Sequence, residues 1–400
     1  MHIQKNLTNQ APGMAGTAPP KALASGNGKQ LGLDFMRVVL SFGVIVFHYY
    51  FFSYITTTPV RFEPERLPFY QQLYFFYNYG GEYRIPAFWC LSGFLYFWKY
   101  GAKIADGRAE ASDFFMLRLS RLYPLHLLTM FIVMGLQMLY REVNGGNFIF
   151  YNDLKHFVLQ LFFASDWGFE DGHSFNGPIW SLSVEVLVYV IFFLTTRFLG
   201  KSVYVNLLVL LVCLLLKKIF HFESSIIHCA ACFYAGGIAA QAYIKAEKQE
   251  YRKTLFSIAL VLAVLLPLAT WQFELYRARH FSEIFVILYA PVIIFLAVRD
   301  FHVHPTIRNV IETFGNMIYS TYLVHFPLML LITLCCTYMG IRVPMYSTAF
   351  FVGYMTLVFS SAYLLWYNFE RPVQSAIRKW WKEVGTATTG AVASLEKVTD

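Results

Sequence analysis

The sequence predicts an all-α fold, a polytopic membrane bundle of about ten transmembrane helices, and three observations carry that prediction. Of the 400 residues 57% are hydrophobic and only 14% charged, where soluble domains carry about 25% charged residues. The mean hydropathy is +0.48. Apolar runs of about 20 residues, the length that crosses a hydrocarbon core, recur along the chain between short polar breaks. The formal charge of +8 does not point to nucleic acid. Its basic residues sit in short clusters between apolar runs and no nucleic-acid-binding motif appears, so the excess reads as topology.

Taken in order, residues 1–30 are rich in Ala, Pro, Gly, Asn and Gln and lack the continuous apolar core of a secretory signal, which predicts a disordered cytoplasmic tail. Residues 31–372 form the transmembrane domain, with spans expected near 32–54, 84–100, 118–140, 177–198, 203–220, 226–244, 255–272, 283–299, 316–338 and 345–369. Leu154–Ala164 is too brief to span and belongs at the interface or in a re-entrant turn. Residues 373–400 form a second cytoplasmic tail. With the N-terminus inside, 22 of the 32 Lys and Arg residues fall on inner segments. That bias predicts a multi-pass protein of the cytoplasmic (inner or plasma) membrane with both termini in the cytoplasm and the acidic loop 142–175 outside.

All six cysteines, Cys90, Cys213, Cys229, Cys232, Cys335 and Cys336, lie in expected spans, which argues against a disulfide framework. The HCAAC run at 228–232 has no second ligand pair at zinc-site spacing, so packing of small residues is the better reading and no metal site is expected.

Polar residues inside spans are costly and therefore informative. Arg37 and His48 are eleven residues apart, about three turns and ~16 Å along one helix face, linking the inner boundary to the membrane interior. Glu185 in the fourth span sits at a depth similar to that of His48, so the two are expected to meet as a buried base and acid. A polar pair that merely joins two helices is the structural alternative. Arg118 and Arg121 share a face at the inner start of the third span, as phosphate-binding guanidiniums or as ordinary inner-side flanking charge. Tyr322 and His325 share a face of the ninth span near mid-membrane and suggest a cavity common to both polar faces.

At these residues the sequence resembles membrane-bound acyltransferase family 3, whose members O-acylate carbohydrates. The resemblance runs through LDFMR at 33–37 with the following His48, FWCLSGFL at 88–95, RLSRLYP at 118–124, WSLSVE at 180–185, YSTYLVHFP at 319–327 and ERP at 370–372. It departs from the family at Phe35, where members often have Gly, and at Val186, where a second acidic residue is common. The resemblance implies an acyl-CoA donor, with acetyl-CoA expected, and no bound cofactor. It implies a carbohydrate or lipid-linked glycan as acceptor, with membrane lipid the only other partner and no oligomeric state specified. Arg37, Arg118 and Arg121 would hold the donor phosphates, and Trp180, Tyr322 and His325 would complete substrate binding. His48 would act as general base on a hydroxyl or accept the acyl group itself, with Glu185 orienting and charge-stabilising its ring. The competing class is a transporter or flippase with a proton-coupled His48–Glu185 pair, although no paired halves with matching broken helices are present.

Overall fold

The computed structural model describes residues 30–55, 62–148, 150–220, 224–247, 252–277, 281–298 and 303–396. The tail expected over 1–30 therefore lies, apart from Gln30, outside the described residues. Thirteen helices frame the molecule: α1 (Leu31–His48), α2 (Gly80–Tyr96), α3 (Ala111–Asn144), α4 (Leu154–Leu161), α5 (Trp180–Leu199), α6 (Val203–Phe220), α7 (Ser225–Glu247), α8 (Arg252–Gln272), α9 (Phe281–Ala297), α10 (Pro305–Asn316), α11 (Ile318–Tyr338), α12 (Thr348–Leu365) and α13 (Arg371–Glu396). Among the described residues there is no strand, only an isolated bridge between Tyr151 and Ser174. The protein is an all-α polytopic bundle.

Among the described residues, eight helices are long and apolar enough to cross a membrane, against about ten expected. The two other expected spans are also helical, but α9 is an apolar helix of only 17 residues and α2 carries the fully buried Arg84. Charge, proline and small residues dilute the apolar signal of α2 because this helix faces protein rather than lipid. Its Gly93 meets the Phe233 carbonyl of α7 and the Gly236 of α7 meets the Cys90 carbonyl, so closely that a Cβ at either glycine would overlap the opposing oxygen. Small residues bring the two backbones together where no hydrophobic force between helices is available. Cys229 and Cys232 are buried in the same helix, and no group of three metal-ligating side chains forms among the described residues.

The outward faces show which solvent the bundle expects. On α6, Leu207, Leu208 and Leu211 are exposed, and on α8, Ile258, Val264 and Leu265. Such continuous apolar surface is stable against lipid and prone to aggregate in water. Two inner cores sit side by side. One is built on α2, α5, α7 and α9, and the other on the far halves of α1, α3, α11 and α12. Helices α1, α3 and α11 contribute to both, as Leu33 with Ile45, Leu125 with Met130, and Leu323 with Phe326 show.

Both ends are closed by non-spanning segments. Asp153 caps the short α4 by accepting from the His156 backbone N–H at 2.9 Å, and this segment covers one end. At the other end a π-helical turn, Trp366–Glu370, leads into α13. The expected second tail thus starts as a docked helix: Arg378 bonds Ser120 Oγ at 3.2 Å and the Leu117 carbonyl at 3.1 Å, and Trp381 Nε1 donates to Asp113 at 2.7 Å.

Candidate functional site

Among the described residues, the seam between the two cores holds three cavities in series, with shared lining residues. The first opens at the α13 end, has a volume of about 340 Å³, and is lined by Arg37, Lys99, Arg121 and Arg378 together with Asp34 and Glu370. Four chain segments supply its cations. Lys99 is presented by a π-helical turn, Phe97–Gly101, and Glu370, which accepts from Ser320 Oγ, by the one before α13. Arg37 is paired with Asp34 at 2.8 Å, whereas Arg121 makes no hydrogen bond or ion pair with any described residue. An open guanidinium among other cations is a place for an anion.

Arg118 is not equivalent to Arg121. Its guanidinium lies 3.8 Å from the Phe114 ring centroid, 4.1 Å from Tyr100 and 4.7 Å from Tyr96, and it donates to the Phe114 carbonyl at 2.8 Å. Three aromatic faces hold this cation, so it is a wall of the site more than a free hand.

The second cavity, about 360 Å³, continues inward from the first and shares Arg37, Lys99 and Arg121 with it. Glu185 is its buried acid, accepting from Tyr189 Oη one turn on at 2.6 Å, and Tyr189 stacks on Tyr96 with ring centroids 4.3 Å apart. Tyr322 lines the same cavity, paired with Ser181 Oγ at 2.8 Å and donating to the Pro178 carbonyl.

The third cavity, about 380 Å³, lies beyond Val44 and Ile85, which line both it and the second. His48 faces this outer chamber with Asp166, Trp180 and His173. His48 Nδ1 is 2.9 Å from His325 Nε2, with the two ring planes within 9° of each other. The Nδ1 of His325 is buried with no hydrogen-bond partner among the described residues. With a proton on His325 Nδ1, its Nε2 is the acceptor and His48 Nδ1–H the donor. His48 Nε2 then carries a lone pair on the chamber side, and no described residue occupies it. His325 is itself fixed by a break in α11. Pro327 has no N–H for the Leu323 carbonyl, and Asn176 Nδ2 takes that carbonyl at 2.9 Å, while Tyr354 Oη donates to the His325 carbonyl at 3.1 Å.

The expected sites thus divide between two chambers. His48 and Glu185 do not form a buried pair: His48 bonds His325, and Glu185 bonds Tyr189 on its own helix. Depth along two helices fixes a common level but says nothing about the direction in which each face points. Tyr322 and His325 do share a face, with rings 6.0 Å apart, yet Tyr322 lines the second cavity whereas His325 bonds His48, which lines the third. Trp180 walls the outer one, edge-on to Trp89 at 6.0 Å. Lys99, Arg378, Asp166 and His173 were missed. The first two look like ordinary flanking charge, and the last two lie in a loop with no periodicity to read.

Asp166 lies outside the spans, and burial pushes its carboxyl up to about 6. A family model described as an acyltransferase domain matches residues 30–367. No curated protein and no solved structure matches the chain.

Proposed function

The chain belongs to acyltransferase family 3, and from that membership we propose that this multi-pass membrane acyltransferase moves an acetyl group from cytoplasmic acetyl-CoA to a hydroxyl of a carbohydrate or lipid-linked glycan across the membrane. The observation that carries the reading is the pair of cavities back to back at Val44 and Ile85, one reached through a cluster of cations and the other faced by an imidazole.

The donor enters at the cationic end, in the cytoplasmic or plasma membrane with both termini on that side. Arg37, Lys99, Arg121 and Arg378 hold its phosphates, and its long arm runs along the second cavity toward Val44. Charge at the entrance and the cavity beyond it fix the thioester at one depth, which is where proximity contributes most to rate. On the other side the acceptor hydroxyl meets His48 Nε2. The hydroxyl proton passes to that nitrogen as oxygen attacks the thioester carbon; the C–O bond forms and the C–S bond breaks. Glu185, when protonated, gives its proton to the departing thiolate. His325 holds the His48 ring in the tautomer that leaves Nε2 free, a positioning role that a carboxylate fills in hydrolases.

Membrane vesicles of both orientations test the proposal. Thiol release from acetyl-CoA and transfer of the labelled acetyl group to glycan should occur only when acetyl-CoA is on the Arg37 side. Release on the other side reverses the proposed orientation. Flux of a sugar or proton with no thiol release gives the site to a transporter.

A further inference from the structure

The loop between α4 and α5 holds a carboxylate with one oxygen left unpartnered. Asp166 lines the outer chamber with His48 and Trp180, and its Oδ2 is shut off from solvent with no hydrogen-bond partner among the described residues. Ser225 and Glu170 stand beside the carboxyl. A buried acceptor left unmade is costly enough to call for an explanation. The loop around it is not slack. Glu170 Oε2 accepts from three successive backbone N–H groups, those of Trp167, Gly168 and Phe169, at 3.0, 2.9 and 3.0 Å. Trp167 Nε1 donates to the Ser183 carbonyl of α5 at 3.0 Å. The backbone is therefore pinned, while the terminal torsion of an Asp is soft enough to turn either oxygen toward the chamber.

We propose that Asp166 is an acceptor-binding residue of the outer chamber, taking hydrogen bonds from the hydroxyls of a neutral sugar that stacks on Trp180. This rests on the acyltransferase reading and narrows its acceptor class. A carboxylate is an acceptor-only group and needs a donor, which a polyol supplies. The aromatic side chains Trp180, Phe47 and Phe51 on the same chamber walls suit the apolar faces of a pyranose ring. Asp166 with Glu170 beside it repels carboxylate or phosphate, which excludes a uronic acid or sugar phosphate at this subsite. His48 lines the same chamber, so a sugar held by Asp166 presents another of its hydroxyls to His48 Nε2.

The test needs no purified acceptor. Full-length protein is given labelled acetyl-CoA and increasing amounts of the glycan fraction extracted from a strain lacking the gene, which contains the unacylated acceptor. Asp166→Ala should raise the amount of glycan needed for half-maximal transfer about 10- to 100-fold, the range for a lost charge-assisted hydrogen bond. Asp166→Asn, which keeps one acceptor oxygen, should fall between Asp166→Ala and the wild type. Equilibrium binding of acetyl-CoA should stay within about threefold, which separates lost acceptor binding from misfolding. An unchanged glycan requirement overturns the proposal, as does parallel weakening of acetyl-CoA binding in both variants. If Asp166→Ala leaves transfer to the neutral part of the glycan fraction intact and affects only a charged part, the neutral-sugar assignment is wrong. If the wild type moves no label from acetyl-CoA to glycan, the acyltransferase reading itself falls, and the subsite with it.

Discussion

Replacing His325 tests the two-histidine arrangement directly. His325→Ala removes the acceptor 2.9 Å from His48 Nδ1 in a site where His325 is fully buried. The orphaned Nδ1–H loses a neutral hydrogen bond and the freed ring loses its fixed tautomer. An unmet buried donor costs about 1–3 kcal/mol. At 1.36 kcal/mol for each factor of ten in rate, that is a loss of about 5- to 150-fold in kcat. Because His325 does not line the cation-rich entrance, the KM for acetyl-CoA should stay within about twofold, as expected for an interaction realised in the transition state. His325→Gln restores an acceptor and should recover part of the rate. His48→Ala should abolish transfer, and the double variant should be no worse than His48→Ala alone, since residues that act as a unit are non-additive. Steady-state transfer rates of the wild type and the four variants decide it. A normal kcat for His325→Ala, or losses that multiply in the double variant, refutes the positioning role.

The arginines should separate. Arg121→Ala should raise the acetyl-CoA KM about tenfold or more with little change in kcat, while Arg118→Ala should lower the thermal midpoint through loss of its three-ring cage; equal kinetic effects and equal stability would show that the two residues are interchangeable. Glu185→Gln should cut kcat with acetyl-CoA but lose far less with an acetyl thioester of an acidic aryl thiol, whose thiolate leaves without a proton; the same deficit with both donors would remove Glu185 from the proton path. Acidification should weaken acceptor use. Asp166, raised by burial to about 6, is charged above that pH and neutral below it, so half-saturation by glycan should rise as pH falls through 6. Asp166→Asn should lack that rise and keep only the dependence due to His48, His173 and Glu170.

The sequence carried the fold class because solvent choice is written into composition: Leu207, Leu208 and Leu211 are apolar where lipid is the neighbour. It also placed Arg37 and His48 on one helix, since a single helix has only one period, and in the structure they line different cavities of the series. Relations between helices were not legible. The azimuth of Glu185 is set by how α5 packs, which no spacing within α5 encodes, and its nearest partner proved to be Tyr189 on its own surface. Arg118 and Arg121 look alike in sequence, and only the rings of Phe114, Tyr96 and Tyr100 distinguish them. Helix α2 contradicts the hydropathy rule for a local reason: a helix buried on all sides by protein can carry Arg84, whose guanidinium donates to the Gly43 and Phe75 carbonyls. Asp166 sits in a loop, where the contacts that bury it come from residues far away in sequence.

Val44 and Ile85 have an electrical consequence. These two side chains line both the second and the third cavity, so in the reaction proposed above a membrane voltage would fall in large part across them. A charge carried past that point does work of about 2.3 kcal/mol for each 100 mV. On that proposal, a proton taken up by His48 and returned to Glu185 between turnovers would cross much of the field. One that escapes on the His48 side while Glu185 refills from the other makes every turnover displace a unit charge. In either case an energised membrane acts on the reset of the site, and the bulk of Val44 and Ile85 determines how little current leaks while it waits.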